Sequence, residues 1–327
     1  MVKISELKVG DTGTAAFVVS SAVARKTRRG TDYLLLEFFD GTDKINANYW
    51  DWAGKNIPER NSILDVGYQV TEYNGTKQLT VRTLRTNTTL GIEEFMPKSE
   101  YNIEEVYKEA RDLALRIEDS FLCDLCIYAL ENYKDLWIKA PGAKTLHHAF
   151  VGGTLVHSLS VAKIARAIAK TLPMANMDIV TVGGLLHDIG KLKTYKLNGV
   201  LIDMSDNGRL LEHMCLGTSM VEQIAYDSGL LQKFSDDARY GYSNEEFKLQ
   251  QILHIIASHH GKQEYGAAVP PASVEAHIVH HADAIDANVQ MIYENAKKAP
   301  SALWTDRIWA LSNMPHINPF YIQDVME

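Results

Sequence analysis

Five stretches of this chain carry a histidine or an aspartate where a helical pattern runs or ends, and together they leave few folds open. The central one is Gly183-Gly184-Leu185-Leu186-His187-Asp188-Ile189-Gly190-Lys191, where an imidazole and a carboxylate stand side by side at the end of an apolar helical run. Two adjacent donors hold a metal only with partners from elsewhere. The chain offers His157 upstream, and His213, the pair His259-His260 and Asp283 downstream, all in segments of helical period. Nitrogen and oxygen donors with no thiolate suit manganese, iron, nickel or zinc more than a structural zinc site built on cysteine. A lone His-Asp pair is a weak signal; the ordered set is a much stronger one.

The pattern around each donor says how it is mounted. His157 is followed by Val161, Ile164 and Ile168, so its imidazole lies on the stripe that faces a core. A histidine there, taken alone, is ordinarily a satisfied core group. Asp178 is expected to cap the next helix, whose Ile179, Val182, Leu185 and Leu186 are buried before a stop at Gly190. Residues 195–209 are polar and contain glycine, which predicts a loop over the site. Glu212-His213 opens a further run through Leu216, Met220 and Ile224. Another covers 247–260, with Leu249, Ile252, Leu253 and Ile256 inside, and ends at His259-His260-Gly261. Pro270-Pro271 precedes a helix over 273–297, in which Asp283 and Asp286 turn inward among Ile278, Ala282 and Ile285. The tail from Pro300 is rich in Trp and Pro and says nothing about chemistry.

The first part of the chain has a different period. Short β-rich runs at 14–23, 33–39, 44–50, 68–73 and 77–84 are separated by turn residues, and five strands in so short a span suit a small closed barrel. Asn74-Gly75 marks a two-residue hairpin, since both residues tolerate positive φ. The tip between the first two runs, Arg25-Lys26-Thr27-Arg28-Arg29-Gly30, is basic. In an OB-type barrel that tip borders the face that binds oligonucleotides. Phe38, Tyr49, Trp50, Trp52 and Tyr73 are interleaved with it, either as a stacking platform for a single strand or as barrel core. Residues 86–102, with Met96-Pro97-Lys98-Ser99, lose the alternation and read as a linker. Helical period then begins with Ile103, Val106, Tyr107, Ala110, Leu113, Ala114 and Ile117, behind Asn102 as N-cap. The expected organisation is multi-domain α+β: a five-stranded OB-type barrel over 1–88, a linker over 89–102 and an all-α domain over 103–327.

A length of 327 residues with 46% hydrophobic composition fits two ordinary globular cores. No run approaches the roughly 18 apolar residues of a membrane helix, and the start lacks a signal core, so the expected location is cytoplasmic, with no membrane partner. Cys123, Cys126 and Cys215 cannot all pair; Cys123 and Cys126 sit in an amphipathic pattern and read as core packing rather than redox or zinc chemistry. The net charge of −8 argues against a protein that coats nucleic acid over its whole surface. The average hides an asymmetry, because residues 1–90 carry 12 Lys+Arg against 10 Asp+Glu and the remainder 21 against 31.

The order His157, His187-Asp188, His213, His259-His260, Asp283 resembles the HD-domain metal phosphohydrolases, and most closely the YhaM-type 3′→5′ exoribonucleases, which join an N-terminal OB fold to a C-terminal HD domain. The segments that carry the likeness are His147-His148-Ala149-Phe150-Val151-Gly152-Gly153, Leu186-His187-Asp188-Ile189-Gly190-Lys191, Ser258-His259-His260-Gly261-Lys262-Gln263-Glu264-Tyr265-Gly266, and Glu275-Ala276-His277 through Asp283-Ala284-Ile285-Asp286-Ala287. Asn46-Ala47-Asn48-Tyr49-Trp50-Asp51 and Asn74-Gly75-Thr76-Lys77-Gln78-Leu79 resemble the OB half. Two departures are Glu212, where the family usually has glycine before the histidine, and the segment 202–210.

The resemblance implies two divalent metal ions per chain, manganese foremost, with iron, cobalt, nickel or magnesium as alternatives. His157, His187, Asp188 and Asp283 would hold one; Asp188, His213 and either His259 or His260 the other. Lys191 would reach a non-bridging phosphate oxygen. His148 and His254 stand either behind the ligands or in the core, and Glu264 either orients a ligand imidazole or holds a turn. Arg25, Lys26, Arg28, Arg29, Tyr49 and Trp50 would hold the strand. The implied activity is metal-dependent 3′→5′ hydrolysis of single-stranded RNA to nucleoside 5′-monophosphates, with single-stranded DNA and a homo-oligomer left open. The alternatives are an HD phosphohydrolase of free or cyclic nucleotides and a non-catalytic single-strand-binding protein.

Overall fold

The structure, a computed structural model, describes residues 2–54, 56–96, 99–144, 148–231 and 243–321. Pro97 and Lys98 of the expected linker, and His147, lie outside them. The chain divides into two compact units, one of Met1–Lys98 with Leu197–Leu201 and one of Ser99–Lys196 with Ile202–Glu327.

The first unit is a closed barrel with strand order β1-β2-β3-β5-β4, the order of an OB-type barrel. Its strands are β1 (Thr12–Lys26), β2 (Asp32–Phe39), β3 (Lys44–Tyr49), β4 (Ile63–Tyr73) and β5 (Thr76–Thr86). Neighbours pair antiparallel except β3 with β5, which close the barrel in parallel. One strand serves two partners: the first half of β1 pairs with β4 and the second half with β2, with an irregularity between Val19 and Ser21. A bulge at that place bends the strand round the barrel corner. Period-2 alternation puts Phe17, Val19, Leu34, Leu36, Phe38, Val66, Leu79 and Val81 inside. Asn74 and Gly75 form the predicted turn, with φ of 50° and 75°. The stretch expected as linker instead adds a 3-10 turn, Ile92–Phe95, to this unit. Phe95 is fully buried there with Val18, Phe39, Ile63, Val200 and Leu201.

The second unit is helical: α1 (Ile103–Ala114), α2 (Ser120–Asn132), α3 (Lys134–Trp137), α4 (Gly153–Ala169), α5 (Met177–Leu186), α6 (Lys191–Thr194), α7 (Asp206–Asp227), α8 (Asn244–Ser258) and α9 (Val274–Ala296). Asn102 caps α1 as expected, accepting the Glu105 amide. Cys126 is buried in the core beside Leu125 and Leu130, and Cys123 packs against it, both as free thiols. None of the described helices is long and apolar enough to cross a membrane.

Four local expectations are corrected. Asn176, not Asp178, caps α5: its side chain accepts the amides of Asp178 and Ile179. The Asp178 carboxylate accepts the amides of Glu118 and Asp119 instead, just before α2. Residues 195–209 are not a loop but a hairpin, β6 (Tyr195–Asn198) and β7 (Leu201–Met204), followed by Ser205 as the cap of α7. Helix α7 thus starts before Glu212-His213 and breaks at Glu212. Gly190 is not a left-handed helix stop, since its φ is −62°. It is needed for space: a Cβ there would stand 1.8 Å from the carbonyl oxygen of His213.

Candidate metal centre

Helices α4, α5, α7, α8 and α9 each bring donors to one point. The close approach of α4 and α5 rests on Gly184, where a Cβ would lie 2.6 Å from Cα of Ala162. That approach sets His157 on α4 against His187 at the end of α5, with their Nε2 atoms 3.2 Å apart. Both rings are buried, as are Asp188, His213 and His259.

The Asp188 carboxylate turns one oxygen to each of two donor groups. Oδ2 lies 3.3 Å from His157 Nε2 and 3.4 Å from His187 Nε2, and Asp283 Oδ1 completes that group at 3.1 Å from His157 Nε2. Oδ1 lies 3.6 Å from both His213 Nε2 and His259 Nε2. Donors held about 2.1 Å from one ion stand roughly 3.0–3.4 Å from each other, so the first group already has the spacing of a coordination shell. His260 belongs with His213 and His259, its ligating atom within 4.8 Å of theirs.

Each ring is oriented from behind. His187 Nδ1 donates to Gly184 O, His259 Nδ1 to Ile256 O and His260 Nδ1 to Tyr265 O. A carbonyl only accepts, so the proton is on Nδ1 and the Nε2 lone pair faces the centre. His213 Nδ1 donates to Glu212 Oε2. His157 Nδ1 donates to Asp286 Oδ2 at 2.6 Å, and His148 Nε2 meets the same oxygen at 2.8 Å. From the sequence Asp286 is only an inward residue; its spacing on α9, three after Asp283, is the signal that could have placed it behind the ligands.

The electrostatics ask for a cation. Burial disfavours the His157 imidazolium, yet Asp188, Asp283 and Asp286 around it hold its pKa well above the ordinary histidine value. Burial lowers the pKa values of His259 and His260, which keeps both neutral and able to ligate. Burial works against the Asp188 carboxylate as well, but Lys191, with Nζ 2.6 Å from Oδ2, and the histidines hold it well below the usual range. On the other side Asp188 Oδ1, His213 Nε2 and His259 Nε2 are buried and have no hydrogen-bond partner among the described residues. Three lone pairs that converge with no proton between them are costly unless an ion sits among them. The residues present therefore fit divalent metal.

Two further expectations resolve away from the centre. His254 accepts the Ala272 amide on Nε2, and Glu264 is exposed and pairs with Lys262. At the barrel, Arg25 and Lys26 end β1, and the tip closes through Thr27 and Thr31. The ammonium of Lys26 pairs with Asp32. Trp50 is exposed and stacks on Tyr33 with ring centroids 4.6 Å apart. Tyr49 and Trp52 pack partly on the barrel core, and Phe38 is fully inside.

The model of the HD domain matches residues 154–288, which span the ligand set from His157 to Asp283. Among curated proteins, "3′-5′ exoribonuclease YhaM" of Listeria monocytogenes is 28% identical over 327 residues, covering 98% of this chain and 99% of its own length. The protein of the same name from Geobacillus sp. is 27% identical, covering 99% and 97%. The solution structure of the second OB-fold domain of replication protein A from Methanococcus maripaludis aligns with 27% of this chain and 96% of its own, at 22% identity and a TM-score of 0.23. Over nearly its full length the chain is similar to the 3′-5′ exoribonucleases named YhaM, and its OB-type barrel is joined to a helical unit that carries the HD domain.

Proposed function

We propose that the chain is a metal-dependent 3′→5′ exonuclease that removes nucleotides from single-stranded RNA. The observation that carries the reading is the Asp188 carboxylate, which turns one oxygen to His157 and His187, the pair that Asp283 also faces, and the other to His213 and His259. Two divalent ions bound there, manganese by preference, would polarise a phosphodiester and supply hydroxide near neutral pH. Asp188, shared by both groups, sets their spacing. Lys191, whose ammonium pairs with Asp188 beside the centre, would meet a non-bridging phosphate oxygen. Donors as buried as these would be reached by the end of a flexible strand rather than by a duplex. Hydrolysis that leaves the phosphate on the departing nucleotide gives nucleoside 5′-monophosphates and a fresh 3′-hydroxyl.

The barrel supports a strand rather than a free nucleotide as substrate. Exposed Trp50 stacked on Tyr33, with Arg25, Arg28 and Arg29 at the neighbouring tip, offers base stacking and phosphate contacts without sequence readout. Such a surface accepts single-stranded DNA too. Three cysteines held as free thiols suit work in the reducing cytoplasm.

A 5′-labelled hairpin with a single-stranded 3′ tail tests the reading. With manganese the tail should shorten one nucleotide at a time to near the stem, releasing 5′-monophosphates, while a blunt duplex resists. Asp188→Ala should abolish the reaction and lose bound metal with the fold retained. Internal cleavage, or shortening from the 5′ end when the label is moved, would overturn the assignment.

A further inference from the structure

The residue before His213 carries a backbone conformation that its side chain does not favour. Glu212 has φ 57° and ψ 166° inside α7, and the helix resumes directly after it. That combination borders a region populated almost only by glycine, and a side chain is retained there only where the surroundings hold it. The surroundings are rigid: Gly190 lies against the His213 carbonyl and the Gly217 amide so closely that a Cβ would stand 1.8 Å and 2.6 Å from them. The break in α7 is therefore fixed by the turn after Asp188, and any residue at 212 has to accept it.

A glutamate brings something that glycine at this place would not. Its Oε2 accepts from His213 Nδ1 at 3.1 Å and from the His213 amide at 3.3 Å. The second of these satisfies a donor left open where the helix restarts. The first differs in kind from the bonds behind His187, His259 and His260, which go to backbone carbonyls. Only His157, backed by Asp286, has a carboxylate in the same role among the described ligands. Each donor group thus holds one carboxylate-backed imidazole, His157 in the first and His213 in the second. A carboxylate behind a ligating imidazole fixes its tautomer and raises its basicity, and removal of such a partner typically weakens metal binding about 10–100-fold.

We propose that Glu212 is a positioning residue that strengthens the His213 side of the centre, and that its strained backbone is the cost of bringing that carboxylate behind the ring. The inference rests on the two-ion reading given above. It implies that the two ions differ in how they depend on residue 212: the ion at His213 and His259 is sensitive to it, and the ion at His157, His187 and Asp283 is not.

The test uses the full chain stripped of metal and titrated with manganese, with bound ion counted by elemental analysis and thermal unfolding followed in parallel. Wild type should take two ions. Glu212→Gly removes strain and carboxylate together, so the metal-free protein should melt at an unchanged or higher temperature while one of the two ions, the one at His213 and His259, binds about 10–100-fold less tightly. Glu212→Ala keeps the strain and loses the acceptor, and should bind that ion as poorly as the glycine variant. Glu212→Gln restores an acceptor and should recover part of the affinity. A residue with a merely structural role would move the melting temperature and leave the second ion unchanged. Equal affinity for both ions in wild type and Glu212→Gly overturns the inference alone, whereas a wild-type chain that takes up no ion overturns the two-ion reading and this inference with it.

Discussion

At the scale of single residues, each donor imidazole of the centre is held by something behind it. Asp286 is the clearest case, gripping His157 on one side and His148 on the other. Burial opposes its carboxylate, yet the two histidines hold its pKa well below the usual range, so it is an anion near neutral pH. Asp286→Ala should lower metal affinity about 10–100-fold through the loss of that support, measured by manganese titration of the metal-free protein. Unchanged affinity would place His157 under the control of its packing alone. The aromatic pair on the barrel shows the same dependence on a neighbour. Trp50 suggests a platform by its own identity, but Tyr33, paired with Arg25 across β1 and β2, is what holds its plane.

At the scale of elements, small residues and caps decide where the helices cross. Gly184→Ala should push α5 from α4, since the new methyl would meet Ala162 at 2.6 Å. Overpacking of that kind costs about 1–3 kcal/mol, and the same shift separates His157 from His187, so stability and metal uptake should fall together in unfolding and binding titrations. Asp119 ties two further helices: it caps α2 through the Leu122 amide and accepts from Lys248 on α8. Burial raises its pKa but Lys248 and the amides outweigh that, and the folded value is lowered. A depressed carboxylate contributes stability that is present above the unfolded value of about 3.9 and is lost as pH falls through the folded value. Asp119→Ala should therefore cost roughly 1–2 kcal/mol near neutral pH, with the difference from wild type shrinking only below about pH 4. Denaturant unfolding at about pH 7 and about pH 3, on either side of that value, measures this. An equal difference at both would remove the charge from the account.

At the scale of the whole molecule, charge is divided between the two units. The first 90 residues are slightly basic and the remainder strongly acidic, a division that suits the proposed function, with the strand at the barrel and the cations in the helical unit. Changing Arg25, Arg28 and Arg29 to Ala should weaken binding of a long oligonucleotide and flatten its salt dependence by about 0.7 for each phosphate no longer neutralised. A dinucleotide should be cut almost as before. An unchanged salt slope in a binding titration would show the tip to be a solvated turn.

Which residues are candidate donors, and on what kind of element most of them sit, is legible in the sequence alone. Apolar residues three and four apart, or two apart, report which face of a segment is buried, and that is a local property. It suffices for the barrel, for the Asn74-Gly75 turn, for the Asn102 cap and for helices α4, α5, α8 and α9 with their histidines and aspartates. Which donor meets which is a matter of tertiary structure. Asp286 reaches His157 across 129 residues, and no periodicity within either helix encodes that pairing. Likewise the crossing of the turn at Gly190 over His213, which forces the break at Glu212, depends on backbones meeting rather than on any pattern within a segment. The same holds for His259 over His260: they are adjacent at one helix end, and the packing around α8 brings the His259 ring to 3.6 Å from Asp188. Donor identity is written along the chain, whereas donor geometry comes from helix crossings set by residues far apart in it.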